Sequence, residues 1–227
     1  GKVELAKNPM DLGEVLQSVS QSFRLACEEK NIAFELNIQY GTPFNIVGDE
    51  LRLWQILNNL LGNAVKFTSK GSICLEVKSV KRKDQKVRYY FRLTDTGIGI
   101  RKAHKELIFQ PFEQADHQIG KQFGGTGLGL NITRKLIQMH GGEISVESKF
   151  NKGSVFSFFI DYDLWDGHVT GNRKRSGKKR FDSAVSAGKR ILVVEDNPVN
   201  QMVVVSYLKH WKLQASVANN GKEAIDL

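Results

Sequence analysis

Apolar residues at Leu12, Val15, Leu16, Val19, Phe23 and Ala26 recur with helical spacing, and Asp11 with Glu14 three residues on has the form of a capping box ahead of them. The pattern predicts a helix of about 20 residues that ends near Asn31. There the period changes to two. Ile32, Phe34, Leu36 and Ile38 alternate with Ala33, Glu35, Asn37 and Gln39, as in a half-buried strand. Asp49 stands where a second helix needs its cap, and Leu53, Leu57, Leu60, Leu61 and Ala64 share one side of that helix. A hairpin follows, with strands over residues 72–80 and 87–95 and the charged run 81–86 as its turn.

After a polar stretch, helical spacing returns at Leu128, Ile132, Leu136 and Met139 and stops at Gly141 and Gly142, in the position that glycine favours after a helix. Strands over 143–150 and 154–160 join across Asn151, Lys152 and Gly153, and the apparent domain ends near Tyr162. Residues 163–188 have no periodic apolar spacing and are rich in Lys, Arg, Gly and Ser. As a flexible tether they would span about 28 Å root-mean-square. Order resumes at ILVV (191–194), an apolar run of the kind used in a buried parallel strand, which ends in the acid pair Glu195 and Asp196. Asn197 and Pro198 supply a cap and a first-turn proline, and a second short strand follows over 213–218. Two strands and about one helix cannot bury a core, so residues 189–227 are read as part of a larger domain.

Composition changes this picture little. A length of 227 residues suits one full domain and part of another, since domains commonly run to about 100–150 residues. No apolar run approaches the roughly 20 residues that span a bilayer, so neither a transmembrane helix nor a signal peptide is expected. Cys27 and Cys74 have no metal-ligand spacing and read as reduced, core-type thiols of a cytosolic segment. The formal charge of +9 suggests nucleic acid until it is located. Between 166 and 190 lie eight Lys and Arg residues against Asp166 and Asp182, so +6 of the +9 lies in that stretch. Phe181 is its single aromatic residue, too few to form a base-stacking platform, and no nucleic-acid partner is expected.

The candidate chemistry lies in three places. On the second helix, Arg52, Gln55, Asn59, Asn63 and Lys66 fall within roughly 40° of one line at about 100° per residue, opposite the leucines. Amides can coordinate a hard cation through oxygen without adding charge that would repel phosphate. A merely polar surface is the plainer alternative. In the second hairpin strand the period of two puts Asp95 on the inward face with Val87, Tyr89, Phe91 and Leu93. A carboxylate there needs a donor, which a base with an exocyclic amino group would supply. Alternatively Asp95 caps a helix starting near Arg101. The glycines of DTGIGI (95–100), Gly97 and Gly99, would let a ligand approach the backbone. Those of GGTGLGL (124–130) precede a helix N-terminus, where phosphate is the natural guest. Between the two boxes lies a segment too polar for a core, the layout of a nucleotide clamp with a lid.

These motifs resemble those of histidine kinases. LRLWQILNNLLGNAVKFT (51–68) is similar to the asparagine box, DTGIGI to the first glycine box, FQPF (109–112) to the phenylalanine box and GGTGLGL to the second glycine box, all in family order. The tail from Arg190 resembles the start of a response-regulator receiver domain, and the whole resembles a hybrid sensor histidine kinase. The resemblance implies a two-layer α/β sandwich, a mixed sheet with helices on one face and an ATP lid, followed by a truncated, doubly wound α/β receiver fragment. Residues 1–10 would be the tail of an upstream dimerisation region, 11–162 the ATP-binding domain, 163–188 a linker and 189–227 the receiver start.

The resemblance further implies that Asp95 bonds the adenine amino group and that Asn63 coordinates Mg²⁺ bound to the phosphates of ATP. Asn59 and Lys66 would lie along the nucleotide, with Thr126, Gly127, Leu128 and Gly129 near the phosphates, Phe109 and Phe112 anchoring the lid, and Glu195 and Asp196 in the receiver's Mg²⁺ pocket. Relatives that hydrolyse ATP to water usually carry Glu where this chain has Asn59. Many relatives carry Arg where the lid has Lys121, a point charge in place of a bidentate fork. None of the five histidines has the sequence context of a phosphoacceptor, and the receiver's phosphoacceptor strand is not included. The expected partners are therefore upstream acceptor helices, which would make the protein a homodimer, and a receiver in cis. The expected reaction is γ-phosphate transfer to a histidine and relay to an aspartate. A gyrase- or chaperone-type conformational ATPase and a degenerate signalling scaffold are the alternatives.

Overall fold

The structure, a computed structural model, describes residues 4–111, 128–165, 190–196 and 213–226, with positions 201, 204, 205 and 208. It divides into two units, residues 1–166 and 167–227.

The first unit is a seven-stranded sheet with helices on one face. It opens with β1 (Asn8–Asp11), α1 (Leu12–Glu29), β2 (Ile32–Ile38), β3 (Asn45–Gly48) and α2 (Glu50–Phe67). It continues with β4 (Gly71–Lys81), β5 (Lys86–Asp95), two 3-10 turns (Lys102–His104 and Leu107–Phe109), α3 (Gly129–Met139), β6 (Glu143–Lys149) and β7 (Gly153–Leu164). The spatial order is β1-β3-β7-β5-β4-β2, with β6 on β7. β2 pairs parallel to β4 and the other pairs are antiparallel, giving the mixed sheet expected. The twelve residues of β7 allow it to hold β5 along one edge while the other is divided between β6 and, at Asp163 and Leu164, β3.

Local chemistry explains the helix ends. Asp11 caps α1 by accepting from the N–H groups of Gly13 (2.7 Å) and Glu14 (3.1 Å), and Asn31 at φ +55 turns the chain out of the helix. Asp49 caps α2 through Arg52 N–H (3.0 Å), and its second oxygen accepts from Ala6 N–H (2.9 Å) in the chain that leads into β1. The core lies between sheet and helices. Val87, Tyr89, Phe91 and Leu93 of β5 are buried there, Phe91 stacks on Phe158 at 4.6 Å between centroids, and the Tyr89 hydroxyl donates to Pro43 O (2.7 Å). Each large apolar side chain buried this way contributes about 1.5–3 kcal/mol.

Four features depart from the sequence reading. Residues 8–11 form β1, paired with β3, so the sheet includes residues that the reading gave to an upstream tail. β3 itself is a four-residue strand, too short for a period of two to reveal. β7 runs on to Leu164, two residues beyond the expected close near Tyr162. On α3 the buried residues are Thr133, Leu136 and Ile137, whereas Ile132 and Met139 are exposed by 40% and 39%. The inward face is thus turned from the one predicted, and a threonine takes the place of an aliphatic residue.

In the second unit β8 (Arg190–Val194) pairs parallel with β9 (Gln214–Ala218), and a short helix follows over Gly221–Asp226. Parallel pairing agrees with the ILVV reading, but Val193, Leu208 and Leu213 form only a small buried cluster, and Leu192 and Val194 remain 42% and 48% exposed.

Candidate functional site

β5 delivers its last residue, Asp95, to the inner face with only 7% exposure. Its carboxylate accepts from Gly97 N–H (2.9 Å) and from the backbone N–H of Ser154 on the neighbouring strand. Burial outweighs these two bonds and raises its pKa above the ordinary aspartate value. Asp95 caps no helix: the 3-10 turn that starts after Arg101 has no side-chain cap. A buried, ionisable acceptor with two of its roughly four lone-pair positions filled has room for a donor from a ligand.

The glycines beside it are required by packing. A Cβ on Gly97 would lie 2.4 Å from Phe67 O, the carbonyl that also accepts from Ile98 N–H (3.2 Å), and Gly99 turns at φ +64 against Lys149 O. The loop of the first glycine box is pressed onto the end of α2 and onto the β6–β7 turn. This joins Asp95 to the helix that carries the amides. Thr68, at that same helix end, has a fully buried hydroxyl with no hydrogen-bond partner among the described residues, 2.9 Å from the Cβ position of Gly97. Ser154 belongs to no motif the sequence reading used, and Thr68, the last residue of the asparagine box, has no role of its own in that reading.

Along α2, Arg52, Gln55, Asn59, Asn63 and Lys66 are all half-buried, while Leu53, Leu57, Leu60, Leu61 and Ala64 are buried on the other side, as the helical spacing predicts. Arg52 donates to Gln55 Oε1 (2.9 Å). Asn59 Nδ2 donates to Thr133 Oγ1 on α3 (2.8 Å), and Gly129 lies so close that a Cβ there would meet Asn59 Oδ1 at 2.4 Å. Lys66 stands 5.1 Å from the Phe67 ring, and burial lowers its pKa, so the charged form lacks much of the solvation it would have at the surface. The N-terminus of α3 has no side-chain cap at Leu128. Its first turn lies at the positive end of the helix dipole.

Phe109 is buried against α3, where its carbonyl accepts from Asn131 Nδ2 (2.9 Å) and its ring lies 5.7 Å from the Arg134 guanidinium. Phe112, Lys121, Thr126 and Gly127 fall outside the described residues. Of the predicted set, the structure places Asn59, Asn63 and Lys66 along α2, Gly97 beside Asp95 against the end of that helix, Gly129 against Asn59, and Gly99 against the β6–β7 turn. In the second unit Glu195 and Asp196 follow β8, with Glu195 N–H donating to Ala218 O (3.1 Å).

Among the described residues, no group of three His, Cys, Asp or Glu side chains could hold a metal alone. The amide oxygens of α2 nevertheless fit Mg²⁺, which keeps few protein ligands and completes its shell with phosphate and water.

Residues 48–164 match the family model of histidine kinase-, DNA gyrase B- and HSP90-like ATPases. The chain belongs to this family. The chain is 37% identical to the signal transduction histidine-protein kinase BarA of Escherichia coli K12 over 214 residues, which cover 94% of the chain and 22% of BarA. It is 32% identical to the autoinducer 2 sensor kinase/phosphatase LuxQ of Vibrio vulnificus over 228 residues, covering the whole chain and 26% of LuxQ. The chain thus spans about a quarter of the length of these relatives. Among solved structures, full-length ShkA in complex with AMPPNP superposes with a TM-score of 0.60 at 26% identity, over the whole chain and 44% of ShkA. The nucleotide-free catalytic domain of histidine kinase ThkA superposes at 0.54 with 31% identity, over 69% of the chain and 98% of that domain. The two-layer ATPase fold expected from the asparagine and glycine boxes is the observed one.

Proposed function

We propose that residues 11–162 bind Mg²⁺-ATP and present its γ-phosphate to a histidine on an upstream helix pair, from which it passes to an aspartate of the receiver domain that begins near residue 189. The observation that supports this reading is the packing of the Gly97 loop beside Asp95 onto the end of α2, which would give one site a base end and a phosphate end. Asp95 would accept from the adenine amino group. Lys66 would neutralise phosphate charge, and the first turn of α3 would donate N–H groups to phosphate oxygens. Asn63 makes no side-chain hydrogen bond among the described residues, so its oxygen is available to Mg²⁺. The metal would screen the phosphate charge during transfer.

Transfer to a protein acceptor is favoured over hydrolysis by Asn59. An amide cannot take a proton from water, and this one is already committed to Thr133. Phosphoryl transfer relies chiefly on positioning and charge, so the domain needs no base of its own. In the second unit, Glu195 and Asp196 would contribute to the receiver's Mg²⁺ pocket.

A chain extended upstream through its acceptor helices, incubated with γ-labelled ATP, tests this reading. Acid-labile, base-stable label on a histidine is expected, and Asn63→Ala should abolish it. Steady ATP hydrolysis by the isolated chain, lost in Asn59→Ala, would instead identify a conformational ATPase.

A further inference from the structure

The loop of the first glycine box leaves β5 and lies directly against the β6–β7 turn. Asn151 N–H donates to Ile98 O (2.6 Å), Gly99 turns at φ +64 against Lys149 O, and Gly153, at φ +97, lies against Asp95 O. Backbone packed this closely leaves no room for a side chain at either glycine, so any further tie must come from a neighbour. Ser148, the β6 residue opposite Ser154, supplies one. Its Oγ accepts from Ile100 N–H (2.7 Å) and lies 2.9 Å from Gly153 O and 3.0 Å from Ser154 Oγ. Ser148 lies in none of the four boxes.

A hydroxyl both accepts and donates, so the direction of each bond matters. The Ile100 N–H can only donate, and the Ser148 oxygen therefore accepts from it wherever the hydroxyl proton points. That proton has two acceptors in reach, Gly153 O and Ser154 Oγ, and both stand at the start of β7. In either setting the hydroxyl joins the loop to β7. The joint bears on Asp95 from two sides, because the loop carries the Gly97 N–H that the carboxylate accepts and β7 carries the Ser154 N–H. We infer that Ser148 is a positioning residue for the base end: it holds in place the two backbone segments whose N–H groups aim the Asp95 carboxylate at an incoming amino group. This rests on the proposed nucleotide site, and extends it to a residue outside the four boxes.

The experiment is calorimetric titration of the chain, in Mg²⁺, with non-hydrolysable analogues of ATP and of GTP, so that the preference for adenine is read as a ratio of Kd values. Guanine has an oxygen where adenine has the amino group, so the ratio reports the Asp95 bond, while the phosphate end, common to both ligands, cancels. Ser148→Ala leaves the Ile100 N–H without its acceptor; it should weaken binding of the ATP analogue about fivefold or more and narrow the ratio by a similar factor. Ser148→Thr keeps the hydroxyl on a residue that strands favour and should restore both. In an Asp95→Asn background Ser148→Ala should narrow the ratio no further. An unchanged ratio in Ser148→Ala, equal losses for the two nucleotides as from a general packing defect, failure of Ser148→Thr to restore the ratio, or the same narrowing in the Asp95→Asn background would each overturn the inference. Should Ser148→Ala fail to fold, hydrogen exchange of the Ile100 amide in the native chain decides: protection like that of the β7 amides supports the joint, and exchange as fast as that of an exposed loop refutes it. Unchanged affinity and ratio in Asp95→Asn alone would remove the base-end reading and this inference with it, whereas the expected response of Asp95→Asn beside a silent Ser148→Ala would remove this inference only.

Discussion

Replacing Asp95 with Asn changes one atom's charge at nearly constant shape, so its effect can be followed closely. The carboxylate accepts two backbone N–H groups, from Gly97 and Ser154, and in the proposed complex would accept a third donor from adenine. Hydrogen bonds to a charged acceptor contribute about 1.5–3 kcal/mol, which corresponds to a roughly 10- to 150-fold rise in Kd for an ATP analogue. Asn can keep the Gly97 bond through its oxygen, but its NH₂ then faces the Ser154 N–H or the adenine amino group, so the upper part of that range is expected. The nucleobase provides a control. Guanine presents an oxygen where adenine presents the amino group, and the Asn NH₂ can donate to it, so the preference for ATP over GTP should narrow.

The raised pKa of Asp95 sets the pH dependence. Burial penalises the ionised form, so above the ordinary aspartate value of 3.8 the unfolded state gives up this proton first, and the group costs the folded state stability as pH rises through its raised folded pKa. The ionised form that binds the base appears only above that raised value. Wild-type affinity should therefore begin to fall on acidification while ordinary aspartates are still ionised, and Asp95→Asn should be flat through the same window. Titration calorimetry at a series of pH values reads both. Unchanged affinity in Asp95→Asn, or equal losses for ATP and GTP, would refute the base-binding assignment.

Lys66→Met should weaken nucleotide binding about tenfold or more. It should also raise the ligand-free melting temperature at pH 7, because burial disfavours the ammonium, and that gain should shrink as pH rises toward 10.5, where the unfolded-state lysine also loses its charge. Asp49→Ala orphans the Arg52 and Ala6 N–H groups together and should cost about 1–3 kcal/mol in urea unfolding, with Asp49→Asn costing less; no shift of midpoint would show that the link between chain entry and α2 is idle. Cys27 is fully buried with its pKa pushed up to about 11, so iodoacetamide at pH 8 should leave it unmodified in the native chain, as read by mass spectrometry, and label it on unfolding.

The sequence by itself determined what depends on neighbours along the chain. Capping by Asp11 and Asp49 is a contact across two or three residues, the amide face of α2 follows from a fixed 100° turn, and the inward side of Asp95 follows from the strand period of two. The four boxes also made the family legible before any coordinates. Tertiary structure alone decided which neighbours those faces meet. That Gly97 spares the carbonyl of Phe67, that Ser154 donates beside Asp95 and that residues 8–11 complete the sheet all depend on strand pairings between distant segments. So does the identity of α3's inward face. Helical spacing selected its aliphatic residues, but the turn of α3 that packs on α2 places Thr133 inward. There a hydroxyl bonds the half-buried Asn59 amide, as an aliphatic side chain could not.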